Sequence, residues 1–144
     1  MKRVIQTNSP EETEALARGI ARSLKPGACI GLIGELGAGK TCFVHGIAAG
    51  LGVSGYIKSP SFTIINIYEG GRLPLYHIDL YRLSGVPEEL RDAGLEDYIY
   101  GEGISVIEWV DKAPELEAEC DLVVRLTHRS ETVRELEMDG DAGQ

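Results

Sequence analysis

No apolar run in this 144-residue chain approaches the roughly 20 residues that a membrane-spanning helix needs, and no membrane association is expected. Cysteine is scarce. Cys29, Cys42 and Cys120 show no CxxC spacing, which argues against both a zinc site and a redox pair. Their odd number and the lack of a signal-peptide pattern point to a reducing, cytoplasmic setting. Cys29 in an apolar run and Cys42 near a helix start are expected to be buried small hydrophobes. There is no low-complexity tract, no solenoid-type repeat and no length for a separate substrate domain. Bases are almost missing between Ser84 and Asp121, where twelve acidic residues face only Arg91 and Lys112. That segment carries −10, the whole of the chain's net charge of −9 and more. It repels polyanions, so unaided tRNA or DNA binding is not expected. Its acids form either a solvated face or a docking face for a basic partner.

Against this background one segment stands out. Gly34-Glu-Leu-Gly37-Ala38-Gly39-Lys40-Thr41 fits G-x-x-x-x-G-K-[ST]. The apolar run Ala28–Ile33 precedes it and a helix-compatible run from Thr41 to Gly50 comes after it. Glycines let successive backbone N–H groups turn inward without Cβ clashes, and a helix start adds unpaired N–H groups and a positive dipole end. Lys40 can reach the β- and γ-phosphates, and the Thr41 hydroxyl can ligate Mg²⁺. The motif in this context predicts nucleotide binding.

The remaining pattern is α/β. Lys2 to Thr7 alternates as a strand, and Ser9-Pro-Glu-Glu12 opens a helix with a capping box, its apolar face at Leu16, Ile20, Ser23 and Leu24. Gly52 is a helix stop. Phe62 to Tyr68 and Leu73 to Asp79 read as an antiparallel pair turning at Glu69-Gly70-Gly71, with Pro74 near an edge. Short helices are expected over 86–92, 95–100 and 112–119. A strand is expected from Ile104 to Trp109, and a hairpin from Leu122–Thr127 to Thr132–Met138. Too few helices separate the later strands for a fully parallel sheet. The expected fold is a single α/β domain of the P-loop NTPase type over 1–138, with a mixed parallel and antiparallel central sheet flanked by helices. A polar tail covers 139–144.

Hydrolysis needs carboxylates at strand ends beside the phosphate loop. Glu108 closes the apolar strand Ile104–Ile107, and Asp79 closes Leu73–Ile78. Each also has an ordinary reading, as a strand-end charge and as a turn-initiating acid. Period-two alternation puts Leu73, Leu75, His77 and Asp79 on one face. Ser59 to Thr63 is a hydroxyl-rich loop that could order on a γ-phosphate, though by itself it reads as a turn. His45 and His128 read as surface or boundary residues, and His77 gains interest only from Asp79.

Five segments together resemble the TsaE (YjeE) family of small bacterial P-loop ATPases. They are residues 34–41, Lys-Ser-Pro-Ser-Phe-Thr (58–63), Tyr-His-Ile-Asp-Leu-Tyr-Arg-Leu (76–83), Gly-Leu-Glu-Asp-Tyr (94–98) and Ile-Glu-Trp (107–109). The resemblance runs over nearly the whole chain. It implies a part in making threonylcarbamoyladenosine in tRNAs that read ANN codons, with TsaD and TsaB as partners and tRNA met only through that complex. It implies ATP and Mg²⁺ as cofactors. Gly37, Ala38, Gly39, Lys40, Thr41 and Cys42 would wrap the phosphates, and Thr41 and Glu108 would hold the metal. Asp79 would lie near the γ-phosphate and the attacking water, Ser59 to Thr63 would act as a switch, and Arg134 would lie near the base. Lys40, Asp79 and Glu108 are thus the expected catalytic set. Cys42 stands where the family commonly has a second Thr, so a hydroxyl contact is lost. Ser61 stands where Thr is usual.

No arginine finger stands out, although Arg82 is close to Asp79 in sequence, so slow turnover by the isolated chain is expected. Two alternatives remain open at this level. A small-molecule kinase would need an acceptor pocket and an arginine-bearing lid, and the one sizeable insertion, 84–103, is acidic. A non-enzymatic module would use ATP only to order a docking surface.

Overall fold

The structure, a computed structural model, describes residues 2–35, 38–53, 65–81, 96–99 and 101–140. Seven strands lie in one sheet: β1 (Lys2–Thr7), β2 (Cys29–Ile33), β3 (Ile65–Tyr68), β4 (Leu75–Asp79), β5 (Ile104–Glu108), β6 (Leu122–His128) and β7 (Arg134–Gly140). Their order is β1-β7-β6-β2-β5-β4-β3. The central strands β6, β2, β5 and β4 are parallel, while β7 and β3 run against their neighbours. This is the expected α/β fold with a mixed sheet flanked by helices. The purely apolar Cys29–Ile33 lies at the middle because both its faces are covered. The hairpin β6–β7 forms as expected, but β7 continues past Met138 to Gly140.

Helices α1 (Pro10–Arg22) and α2 (Lys40–Leu51) cover one face of the sheet. Phe43, Ile47 and Leu51 of α2 pack there on Ile30, Leu32, Val106 and Val124. Each such fully buried large side chain contributes roughly 2 kcal/mol. The other face is covered by a 3₁₀ turn (Val110–Lys112) and by a helix over Pro114–Glu119, which meet Cys29, Ile33, Ile78 and Ile107. A shorter helix earlier in the chain, α3 (Glu96–Ile99), adds Ile99 to that side, and Pro114–Glu119 is accordingly α4. No helix among the described residues is long and apolar enough to cross a membrane.

The N-terminus of α1 agrees with its sequence. The Ser9 hydroxyl accepts from the Glu12 N–H at 3.1 Å, and the Glu12 carboxylate accepts in return, from Asn8 rather than Ser9. Its buried face needs correction. Thr13, Ala17, Ala21 and Leu24 are the buried residues, Leu16 and Ile20 flank them half-buried, and Ser23 is exposed. The reason is the helix it meets. A Cβ on Gly46 of α2 would lie 2.6 Å from the Ala17 methyl, and one on Gly50 would lie 2.5 Å from that of Ala21. The two helices meet through small residues at a distance that a leucine seam would not allow. The Arg72 guanidinium then donates to the carbonyls of Ala21 and Leu24, at 2.9 and 3.0 Å, tying the β3–β4 turn to the end of α1.

The predicted loop Ser59–Thr63, the helix over 86–92, the acidic segment from 84 to 95, Arg82 and Gly37 lie outside the described residues.

Candidate functional site

The site is assembled where β2, β4 and β5 end, facing the start of α2. Gly39 stands at the N-cap of α2 with φ 103°, a left-handed conformation that suits glycine, and offers no side chain to cap the helix. The Phe43 N–H bonds to the Gly39 carbonyl at 3.0 Å, the first hydrogen bond of the helix. The amides of Lys40, Thr41 and Cys42 therefore have no intrahelical acceptor. An anion can be received there by uncapped N–H groups and the positive end of a twelve-residue helix. Ala38 is buried, Thr41 exposed and Cys42 partly exposed, so Cys42 is not the fully buried residue expected from its sequence setting.

Lys40 is 5% exposed, and among the described residues its ammonium has no hydrogen-bond partner. It lies instead 3.7 Å from the centre of the Trp109 ring. Burial lowers the Lys40 pKa, against the pull of Glu108, Asp79, Asp111 and Glu35. Trp109 takes φ 59°, the one positive φ outside glycine among the described residues. For so bulky a residue that is strain, held in place by what surrounds it. Tyr81 packs on it, ring centres 5.0 Å apart, and the Lys112 ammonium donates to the Tyr81 carbonyl at 2.7 Å.

Asp79 and Glu108 end adjacent parallel strands in direct register. Both acids belong to the face that turns toward α2, because Leu75 and His77 precede Asp79, and Ile104 and Val106 precede Glu108, at intervals of two. Burial pushes the Asp79 carboxyl above its ordinary range. The Tyr81 N–H, 2.9 Å from its Oδ1, opposes this and the neighbouring Glu108 adds to it. Glu108 is buried, and its Oε2 touches Nε2 of the buried His77.

The structure thus brings Lys40, Asp79 and Glu108 to one place. Arg134 comes close to the same loop. Its side chain lies within 4 Å of where a Cβ on Gly39 would be, and its guanidinium donates to the Ser130 carbonyl at 2.9 Å. Beside the loop lies a cavity of about 320 Å³ whose lining includes Glu35, Asp111, Arg125 and His128. Sequence reasoning gave no role to Trp109 and missed the pairing of His77 with Glu108. The alternation that puts His77 with Asp79 and Val106 with Glu108 held the second signal, but it needed the β4–β5 register to be read. It also missed that Cys29 and Cys120 place their sulfurs 3.4 Å apart, 91 residues distant in the chain.

The family described as threonylcarbamoyl adenosine biosynthesis protein TsaE matches residues 7–136. The chain is 48% identical to the tRNA threonylcarbamoyladenosine biosynthesis protein TsaE of Bacillus subtilis (strain 168), over 72% of this chain and 64% of that protein, somewhat under two thirds of its length. It is 42% identical to the protein of the same name from Nostoc sp. (strain PCC 7120), over 89% of this chain and 80% of the relative. A crystal structure of YdiB from Bacillus subtilis superposes with a TM-score of 0.80 at 34% identity, covering 99% of this chain and 87% of that one. The chain belongs to the TsaE family of threonylcarbamoyl adenosine biosynthesis proteins.

Proposed function

We propose that this chain is a Mg²⁺-dependent ATPase that supports threonylcarbamoyladenosine modification of ANN-decoding tRNAs by acting on a TsaD–TsaB complex. One observation carries the reading. A buried lysine ammonium without a hydrogen-bond partner among the described residues stands at the start of an uncapped helix, beside two strand-end carboxylates in register. A buried cation left unpaired is costly, and a polyphosphate removes that cost by supplying acceptors. The residues therefore fit a nucleotide. Thr41 and Glu108 would hold Mg²⁺, which when bound neutralises charge on the transferring phosphoryl group.

The chain's own groups then divide the work. The amides of Lys40, Thr41 and Cys42 orient the phosphates, and Lys40 leaves the Trp109 face to pair with phosphate oxygens. Asp79, held partly dry with a raised pKa, orients the attacking water and is suited to take up a proton from it.

The test is phosphate release from Mg·ATP by the purified chain, with and without TsaD and TsaB. Slow release alone and a rise of about 10³-fold or more in the complex is the expected outcome. Equal rates in both conditions would remove the gating role, and no affinity for adenine nucleotides at millimolar magnesium would remove the whole reading.

A further inference from the structure

We propose that His77 is a positioning residue for Glu108, donating from Nε2–H to one carboxylate oxygen and leaving the other free for a cation. The inference rests on the nucleotide reading and deepens it. His77 is 1% exposed, its Nε2 contacts Glu108 Oε2, and its Nδ1 has no partner among the described residues. The preceding residues on the same face, Leu75 on β4 and Ile104 on β5, are fully buried and apolar. A leucine at 77 would continue that packing and bring no ring nitrogen that needs a partner. The imidazole is thus a costly choice for the core.

Its chemistry accounts for the choice. A carboxylate oxygen accepts, so the contact is made with the proton on Nε2. The contact holds one oxygen of Glu108 and removes its freedom to rotate, so Oε1 stays in one orientation. Groups that orient a metal ligand in this way typically change metal affinity by about 10–100-fold. His77 does this from β4, the same strand that carries Asp79 two residues further on. One strand therefore supplies one acid and fixes the other.

The experiment compares the wild-type chain with His77→Leu and His77→Gln, each checked for fold by circular dichroism and melting. ADP binding is titrated calorimetrically across a magnesium series and in EDTA. His77→Leu should need at least about tenfold more Mg²⁺ for the same coupling, with metal-free ADP affinity unchanged. His77→Gln, whose amide N–H reaches a similar position, should recover most of the loss. A second readout needs neither metal nor nucleotide: a slowly exchanging His77 Nε2–H resonance in the free protein, absent in Glu108→Leu. A His77→Leu chain with wild-type magnesium dependence overturns the proposal. So does a His77→Gln chain whose magnesium dependence is as impaired as that of His77→Leu, or a missing Nε2–H signal. If the wild type itself shows no magnesium-dependent ADP binding, the nucleotide reading has failed, an outcome distinct from a wild type that couples and a variant that couples equally well.

Discussion

The Lys40 ammonium rests on the face of Trp109, 3.7 Å from the ring centre, and Trp109 is the one non-glycine residue with a positive φ among those described. The indole gives the buried cation a partial partner, worth about 1–2 kcal/mol, until a better one arrives. A lysine satisfied fully within the protein would resist leaving. One with no partner at all would destabilise the free chain further.

Substituting Lys40 by Met should therefore separate stability from binding. Loss of a buried, incompletely paired charge should raise the free chain's stability by about 1 kcal/mol, net of the lost cation–π contact. For a chain of this size that is a rise of roughly 2–4 °C in Tm. Wild type at ADP and Mg²⁺ near 100 times Kd should gain about 2.7 kcal/mol. Lys40→Met should gain almost nothing. Thermal melts of both chains with and without Mg·ADP check both halves. A variant less stable than wild type when free would mean that Lys40 is already well paired.

Trp109 is the sole tryptophan, which makes this contact visible. When phosphates draw the ammonium off the ring, indole emission should change in a saturable way with Mg·ADP. In Lys40→Met the same titration should leave the emission flat. An identical change in both chains would assign the signal to a rearrangement that does not involve Lys40.

Much of this is legible in the chain, for reasons that differ by element. The Gly34–Thr41 motif, the capping of α1 at Ser9 and the helix stop at Gly52 are local effects of a few adjacent residues, and the structure has α1 and α2 where those signals put them. Asp79 and Glu108 can be named because a charge after an apolar strand is a local pattern. Their alignment with each other, and the contact of His77 with Glu108, depend on the β4–β5 register, which no single segment encodes. The buried face of α1 escapes its own sequence for a related reason. Leucine and isoleucine spacing points to one seam, whereas the real seam is set by Gly46 and Gly50 on another helix. The sulfurs of Cys29 and Cys120 meet only because β2 and the end of α4 are brought together by the sheet.

That helix seam is directly testable. Gly46→Ala should improve local helix propensity by about 1 kcal/mol. Its new methyl would also lie 2.6 Å from the Ala17 methyl and against the Glu14 carbonyl oxygen, which is backbone and cannot rotate away. Overpacking of this kind costs about 1–3 kcal/mol and should win. Urea denaturation should show a lower midpoint with an unchanged slope. A stabilised Gly46→Ala would mean that α1 can move outward freely.

Asp79 links stability to pH in the direction opposite to an ordinary surface acid. Burial and the adjacent Glu108 hold its folded-state pKa above the usual 3.8, and the Tyr81 N–H only partly offsets them. The folded chain therefore binds more protons than the unfolded chain between 3.8 and the raised value. Asp79 makes folding less favourable as pH rises through that window, and the deficit is fully present above it. Asp79→Asn carries no charge and keeps an oxygen to accept from Tyr81. It should match wild type near pH ~3, below both values, and exceed it in stability near neutral pH, while losing phosphate release. Urea melts of both chains over a pH series check the sign. A variant weaker than wild type at neutral pH would show that the ionised carboxylate is stabilised in the fold. A chain that gains stability as it loses activity is the signature of an acid kept half-buried for chemistry rather than for folding.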